Sequence, residues 1–278
     1  MYPFLHLLPN GNIYIFANRD SIELNYNTDT VANSFSLVEV LVCGGANEAA
    51  FLDPDARYPA SQTCGQIDVG AKQPEWVMED MPVRRTMGDM VNLPDGDVLI
   101  INGADKGSQG NRFTVLAAAS IPRVYHSTAN LLSDGRDLVA GSNTHAYYEL
   151  NGLFPTELRV EAYSPAYLAA NKNNIRPMYA YASGSIRYGR TFTMTFMVER
   201  LQGAFEVNML SAPFATHSYS MGQRMLKLKV TEAVLDDGGI YSITVTAPPN
   251  ANVAPPSYYM LFPVQDGVPG RAIWVRMR

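Results

Sequence analysis

A phenol and an imidazole stand side by side at Tyr125 and His126, inside the segment SIPRVYHSTANLL (residues 120–132). A glycine-punctuated strand, GRDLVAGS (135–142), follows at once. A second imidazole, His217, comes 91 residues later in ATHSYSMG (215–222). Two imidazoles and a phenolate make a nitrogen and oxygen donor set suited to Cu(II), which favours tetragonal N,O coordination. Tyr125, His126 and His217 are the candidate metal ligands. Adjacent residues on a regular strand face opposite ways. Tyr125 and His126 therefore share a metal only if the backbone twists where the strand begins. Taken alone, His126 reads more readily as a hydrogen-bonded turn residue, and His217 as a solvated loop residue. His6 alternates with apolar neighbours and His145 falls in a connection, so neither is a candidate. Arg84 and Arg85 are open to an axial or a structural reading. Asp95-Gly96 and Asp134-Gly135 are turn formers rather than catalytic carboxylates.

The elements that would position such a site are short strands. Three segments share one template: LPNGNIYIF (8–16), LPDGDVLIING (93–103) and LSDGRDLVAG (132–141). Each is an apolar residue, an Asn-Gly or Asp-Gly turn, a β-rich strand and a breaker. VEVLVCGG (38–45) adds a strand without the turn. Self-similarity of this kind points to a kelch-like β-propeller. The spacing is uneven. Gly96 to Gly135 is 39 residues, the length of one blade, whereas Ile13 to Val40 is only 27. A piece is expected to be missing between Thr30 and Val38.

Beyond Phe154 the pattern changes to strict alternation, as in FTMTFMV (192–198), FEVNM (205–209), LKLKV (226–230) and YSITV (241–245). One buried and one wet face, broken by DDGG (236–239) and the Pro-Pro pairs at 248 and 255, is the pattern of a β-sandwich. The expectation is an all-β chain: a partial kelch-type β-propeller over 1–150, then an immunoglobulin-like sandwich over 154–278. That second region is expected to close its own core and fold alone. The incomplete propeller is expected to leave an open edge and to self-associate.

Composition narrows the function classes. The 278 residues carry a net charge of −5, with 47% apolar and 17% charged residues, as an ordinary globular chain does. No run of basic residues exceeds two, so no nucleic-acid footprint is present. No stretch approaches the ~20 apolar residues that span a bilayer. The N-terminus has no basic region and Pro9 cuts its apolar run, so it is not read as a secretory signal. Cys43 and Cys64 are the only cysteines, read as either two buried thiols or one disulfide. No Ser-His-Asp wording, phosphate-binding glycine loop or CxxC pair occurs.

The wording around Tyr125 and His126 resembles the glyoxal oxidase and galactose oxidase family of copper-radical oxidases. The segments 2–12, 84–90, 98–104, 154–162 and 256–262 read like plant glyoxal oxidase-like sequence too. The resemblance implies a seven-bladed kelch propeller followed by an early-set immunoglobulin-like sandwich, one loop of which delivers a histidine to copper. By resemblance Tyr125 is the axial tyrosine that accepts the substrate's hydroxyl proton. His126 is an equatorial ligand, and His217 is the ligand from the C-terminal region. The family's remaining ligand is a tyrosine cross-linked to a cysteine and oxidised to a radical. Neither Cys43 nor Cys64 sits in that motif, and no tyrosine here matches its partner.

The implied reaction takes an aldehyde, O₂ and water to a carboxylic acid and hydrogen peroxide, with one copper per chain. The implied partners are a small aldehyde and O₂. This chain is expected to be impaired, for want of the radical pair. Two alternatives stand beside that reading: a non-catalytic kelch-type binding protein, and an incomplete stretch of an active secreted oxidase. The family setting is extracellular or the cell wall, which favours the disulfide.

Overall fold

In the computed structural model the described residues are 4–17, 20–31, 39–46, 48–52, 58–71, 73–104, 113–152, 154–212, 214–216 and 219–278. The chain is all-β, as its alternation predicts. Four small antiparallel sheets come first. The first is the up-and-down run β1 (Phe4–Leu7), β2 (Ile13–Ala17), β3 (Asp20–Asn25) and β4 (Thr30–Val31). The second has β5 (Glu39–Cys43), β6 (Thr63–Asp68) and β7 (Val77–Asp80), with a one-turn helix, Glu48–Leu52, between β5 and β6. The third pairs only β8 (Thr86–Asn92) with β9 (Val98–Ala104). The fourth holds β10 (Ser127–Leu131), β11 (Asp137–Gly141) and β12 (Val160–Tyr163).

The three template segments fold alike. Each closes a hairpin in which the leading leucine accepts from the glycine amide and donates to the residue after that glycine. The pairs are Leu8 with Gly11 and Asn12 (2.9 and 2.8 Å), Leu93 with Gly96 and Asp97 (3.1 and 2.8 Å), and Leu132 with Gly135 and Arg136 (3.0 and 2.8 Å). The glycines take φ of 89°, 105° and 87°, the left-handed position that a three-residue hairpin loop requires. Asp95 and Asp134 brace two of these turns by accepting the amides of Asp97 and Arg136. They are turn formers, as expected. The 39-residue interval from Gly96 to Gly135 was expected to be a whole blade. Among the described residues it contributes one strand to a two-stranded sheet before β10 begins. The stretch 32–38, where a missing piece was expected, lies outside the described residues.

Cys43 and Cys64 face each other across β5 and β6 and are joined by a disulfide, Cα to Cα 4.0 Å. Of the two open readings, the bonded one holds.

Two 3₁₀ turns (Ala166–Leu168 and Ala170–Ile175) lead into the second half. Its strands are β13 (Met178–Ala182), β14 (Ser185–Ile186), β15 (Thr191–Met197) and β16 (Phe205–Ser211). They are followed by β17 (Phe214–Thr216), β18 (Tyr219–Met221), β19 (Met225–Leu228) and β20 (Val234–Leu235). The last are β21 (Tyr241–Thr246), β22 (Tyr258–Gln265), β23 (Val268–Pro269) and β24 (Ile273–Met277). One sheet runs β13-β15-β21-β20 and the other β14-β24-β22-β16-β19, with β23 on β22. Met194, Phe196, Val207, Met209, Leu261 and Val275 fill the space between them. Inward residues alternate with outward ones on β15 and β21, as in a sandwich.

On β16 and β22 the outward residues are buried as well. Leu210, Met260, Phe262 and Val264 pack with Val91, Leu93, Ala129, Leu131, Val139 and Tyr167. The second half therefore closes its own core on one face only. The sheets of the first half cover the other.

The repeated turns make that contact. A Cβ on Gly96 would meet Met225 and Lys227, one on Gly135 would meet Tyr167 and Leu168, and one on Gly11 would meet Asn252. Asn208 donates to the Pro94 carbonyl (2.8 Å), and the Arg224 guanidinium bonds the Leu7 carbonyl.

Candidate functional site

Tyr125 and His126 occupy a turn immediately before β10. Ser127 closes it, its amide (3.1 Å) and hydroxyl (2.6 Å) both donating to the Val124 carbonyl. His126 takes a left-handed φ of 58°, uncommon for a residue with a side chain. That one torsion removes the strand alternation. The two rings lie tilted against each other, centroids 3.9 Å apart at 31°, on the same side of the chain. The requirement set by the sequence, a twist where the strand begins, is met by a defined backbone conformation.

Neighbouring residues hold the turn in place. Ser142 Oγ accepts from the Val124 amide (3.0 Å), and the Asn143 amide donates to the Tyr125 carbonyl (2.7 Å). A Cβ on Gly141 would stand 2.9 Å from the His126 carbonyl oxygen, so glycine is needed opposite the turn. Arg123 is buried beneath it. Its guanidinium donates to the carbonyls of Gly141 (2.7 Å) and Arg159 (3.1 Å) and to Glu161 Oε2 (2.9 Å). One buried cation thus ties the segment ahead of Tyr125 to β11 and β12. Sequence reasoning passed over Arg123 and Ser142. The signal available was an arginine between Pro122 and an apolar residue, where a surface charge is not expected.

His126 opens onto a cleft of about 530 Å³ lined also by Ser142, Asn143, Tyr147, Tyr148 and Leu158. The loop that carries the two tyrosines is pinned by Thr156. Its hydroxyl donates to Asn143 Oδ1 (3.1 Å) and accepts from the Glu149 amide (3.0 Å). Tyr147 and Tyr148 are 84% and 81% exposed at the cleft's rim.

His217 lies outside the described residues, as does Ser218. The strands on either side of it are described. β17 and β18 pair antiparallel, Thr216 opposite Tyr219, and the ribbon packs on β8 and β10. β10 is the strand that begins directly after His126. At this junction sits Asp89 of β8, fully buried, and burial pushes its carboxyl up to about 6. Asn102 Nδ2 donates to Asp89 Oδ2 (2.9 Å) and Ser220 Oγ to Asp89 Oδ1 (3.1 Å), while the Ala129 amide of β10 also bonds it. Sequence reasoning did not single out Asp89.

The remaining histidines and arginines have structural roles. His6 sits in β1 opposite Tyr14, its basicity lowered by burial and then by Arg224. His145 Nε2 lies 3.0 Å from the Phe154 carbonyl, and its Nδ1 lies 3.6 Å from Glu149. Arg84 donates to the Ala60 carbonyl (3.0 Å) and Arg85 to that of Asn102.

A tyrosine and a histidine brought together beside an open cleft fit two positions of a Cu(II) donor set. Among the described residues no group of three or more His, Cys, Asp or Glu is placed to hold a metal ion. Among them, too, no helix is long and apolar enough to cross a membrane.

Comparison with known proteins places the whole chain in context. Residues 31–111 and 106–167 match the family model described as glyoxal oxidase N-terminus. Residues 176–277 match the galactose oxidase-like early set domain. Aldehyde oxidase GLOX of Vitis pseudoreticulata is 44% identical across all of this chain and 62% of its own length. Aldehyde oxidase GLOX1 of Arabidopsis thaliana is 35% identical, over all of this chain and 55% of its own. A galactose oxidase of Gibberella zeae is 28% identical over 69% of this chain and 29% of its own. The chain thus spans about three fifths of the length of the plant relatives. The Vitis alignment runs over 324 positions against 278 residues here, so at least 46 of them have no counterpart in this chain. The two matches to the first family model meet at 106–111, directly after β9.

Proposed function

Because this chain belongs to the glyoxal oxidase and galactose oxidase family, we propose that Tyr125, His126 and His217 form a copper-binding set. We propose further that these 278 residues bind the metal without sustaining aldehyde oxidation. The observation that carries the first part is the left-handed turn at His126, which brings two donor-bearing rings together beside an open cleft. His217 would complete the set from the β17–β18 side. That ribbon rests on β10, the strand into which His126 leads.

Bound there, copper would supply a one-electron acceptor and a Lewis acid. Tyr125 would hold the hydroxyl proton of a hydrated aldehyde, and His126 would face the cleft by which it enters. Converting an aldehyde, O₂ and water to an acid and hydrogen peroxide moves two electrons, so a second one-electron store is needed. In the family, by resemblance, that store is a tyrosine cross-linked to cysteine. Both cysteine sulfurs of this chain are spent in the Cys43–Cys64 disulfide, which leaves neither for such a link. This supports a reading in which metal binding and turnover are separated.

The same reading takes 1–150 as a partial propeller and 154–278 as the early-set region. The substrate class is small aldehydes with O₂, and the setting is an oxidising, extracellular one, which the disulfide favours. Among the described residues β9 pairs only with β8 and β12 only with β11, so each is an edge strand of its sheet. We propose self-association through them.

A second reading, a non-catalytic binding protein, is favoured by Tyr147 and Tyr148. They stand almost fully exposed at the cleft with no structural duty among the hydrogen bonds of the loop.

The test is a Cu(II) titration followed by electron paramagnetic resonance, paired with a peroxide assay on glyoxal and methylglyoxal. A tetragonal N/O signal that weakens in His217→Ala, with no peroxide above a free-copper control, is expected. Copper-dependent peroxide abolished by Tyr125→Phe would overturn the impairment. Unchanged copper binding in both variants would overturn the ligand set.

A further inference from the structure

Asp89 is a carboxylate with three partners on three elements. Asn102 belongs to β9, Ala129 to β10, and Ser220 to β18. It is 0% exposed, at a place where an aspartate is expected only when its hydrogen bonds are made. β10 starts directly after His126, and β18 starts two residues after His217. One side chain therefore bridges the strand that follows Tyr125 and His126 and the ribbon whose two strands flank His217 in sequence. On the far side of the ribbon Phe214 is 69% exposed, and Ala215 and Thr216 are exposed too. Its second anchor is Gln223, whose amide group bonds the Met90 carbonyl and accepts from the Asn92 amide (2.9 Å), again on β8. Both anchors thus run to the strand that holds Asp89.

We propose that Asp89 is the positioning residue that sets the span between Tyr125-His126 and His217. Its bond to Ser220 holds the β17–β18 ribbon against β10. The inference rests on the copper-binding reading for its functional meaning, but its structural content stands without the metal. Asp89 is not itself one of the proposed ligands. It acts by removing freedom from the ribbon, so that the two halves of the donor set meet at one separation.

The test uses the 278-residue chain, first without metal. Hydrogen exchange is read at the Phe214–Thr216 and Tyr219–Met221 amides, with β15 and β21 as internal references. Loss of a hydrogen bond to a buried charged group corresponds to a factor of about ten or more. Asp89→Ala is expected to speed ribbon exchange at least about tenfold and to leave the references unchanged. Asp89→Asn keeps an oxygen acceptor for Ser220 and is expected to restore most of the protection. Ser220→Ala removes one bond without disturbing those to Asn102 and Ala129, and is expected to speed ribbon exchange by about fivefold. It carries the test if Asp89→Ala does not fold.

The second readout is Cu(II) affinity. It is expected to fall about tenfold in Asp89→Ala and to recover in Asp89→Asn. His217→Ala separates the two claims. If that variant binds Cu(II) as the parent does, the ligand set fails, and the exchange data still decide the role of Asp89. Ribbon exchange at the parent rate in both Asp89→Ala and Ser220→Ala overturns the proposal.

Discussion

The aromatic rings of Tyr125 and His126 meet in a tilted contact at 3.9 Å because His126 adopts a left-handed backbone, and Gly141 leaves the space that this conformation needs. A Gly141→Ala variant tests the arrangement. Gly141 itself has a φ of 70°, and the added methyl would press on the His126 carbonyl oxygen. Strain of about 1–3 kcal/mol is expected. Thermal unfolding should shift down accordingly, and copper binding should weaken beyond what the stability loss explains. Unchanged unfolding and binding would show that the turn tolerates a different backbone.

Arg123 offers a second test. Its side chain is 2% exposed and holds two carbonyls besides Glu161. Replacing it with methionine keeps the bulk and strands those acceptors. A loss of about 3 kcal/mol is expected in chemical unfolding. Glu161→Gln should cost less, because that carboxylate is partly solvated and the guanidinium keeps its carbonyl partners. Equal losses in the two variants would place the energy in the ion pair alone.

Asp137 makes stability depend on pH. It opens β11 with both oxygens buried and, among the described residues, without a hydrogen-bond partner. Burial, then the negative charge of Asp95, pushes its carboxyl up to about 7. Tyr163 and Tyr167 face it as well, and their own acidity is lowered by burial and by Asp137. A carboxyl whose folded pKa lies above its unfolded one binds more protons when folded. Its stabilising protonated form is present below about pH 4 and is lost as pH rises to about 7. Stability should therefore fall across that window by on the order of 2–4 kcal/mol from this group. Asp137→Asn should remove the slope and raise the melting temperature at pH 8. A slope that survives the substitution would assign it elsewhere, with Asp89 the next candidate.

Residues 154–278 expressed alone form the last test. In the whole chain Leu210, Met260, Phe262 and Val264 are covered by the first half. Cut away from it, they expose four large apolar side chains on one sheet face, each worth about 1.5–3 kcal/mol when buried. The fragment is expected to fold with native strand content but to self-associate in sedimentation and bind a hydrophobic dye. Leu210→Lys with Phe262→Lys should render it monomeric. A monomeric parent fragment as stable as the whole chain would show that the covering adds nothing.

Much of this arrangement was legible in the residues, and for identifiable reasons. The Leu-x-x-Gly template revealed three hairpins because a left-handed position selects glycine, and that selection is local. Alternation at 192–198 and 241–245 revealed one sheet because one of its faces is wet. At β16 it found the strand but not its second buried face, and at β22 no alternation was there to read, because both faces are buried. The 39 residues from Gly96 to Gly135 have the length of a blade, yet among the described residues β9 pairs only with β8, since spacing between turns counts residues and not strands. At the site, Tyr125 and His126 were found by type, while Arg123, Gly141 and Asp89 were not. Those three act through contacts with segments 13 to 131 positions away, a separation at which sequence offers no geometry.

The shared turn has a consequence for how such a chain can change length. Three hairpins set the same glycine-bearing foot on the second half, at Asn252, Met225 and Tyr167. A strand carries the chain on from each foot, β2 to Ala17, β9 to Ala104 and β11 to Gly141. β9 is such a strand, and the two family matches join just beyond its far end, at 106–111. Residues can be gained or lost there without lifting any foot. Insertions or deletions within 94–97 or 133–136 would instead tilt a whole sheet off its support. Length variation in related chains should therefore be polarised, frequent at the far strand ends and rare at the three feet.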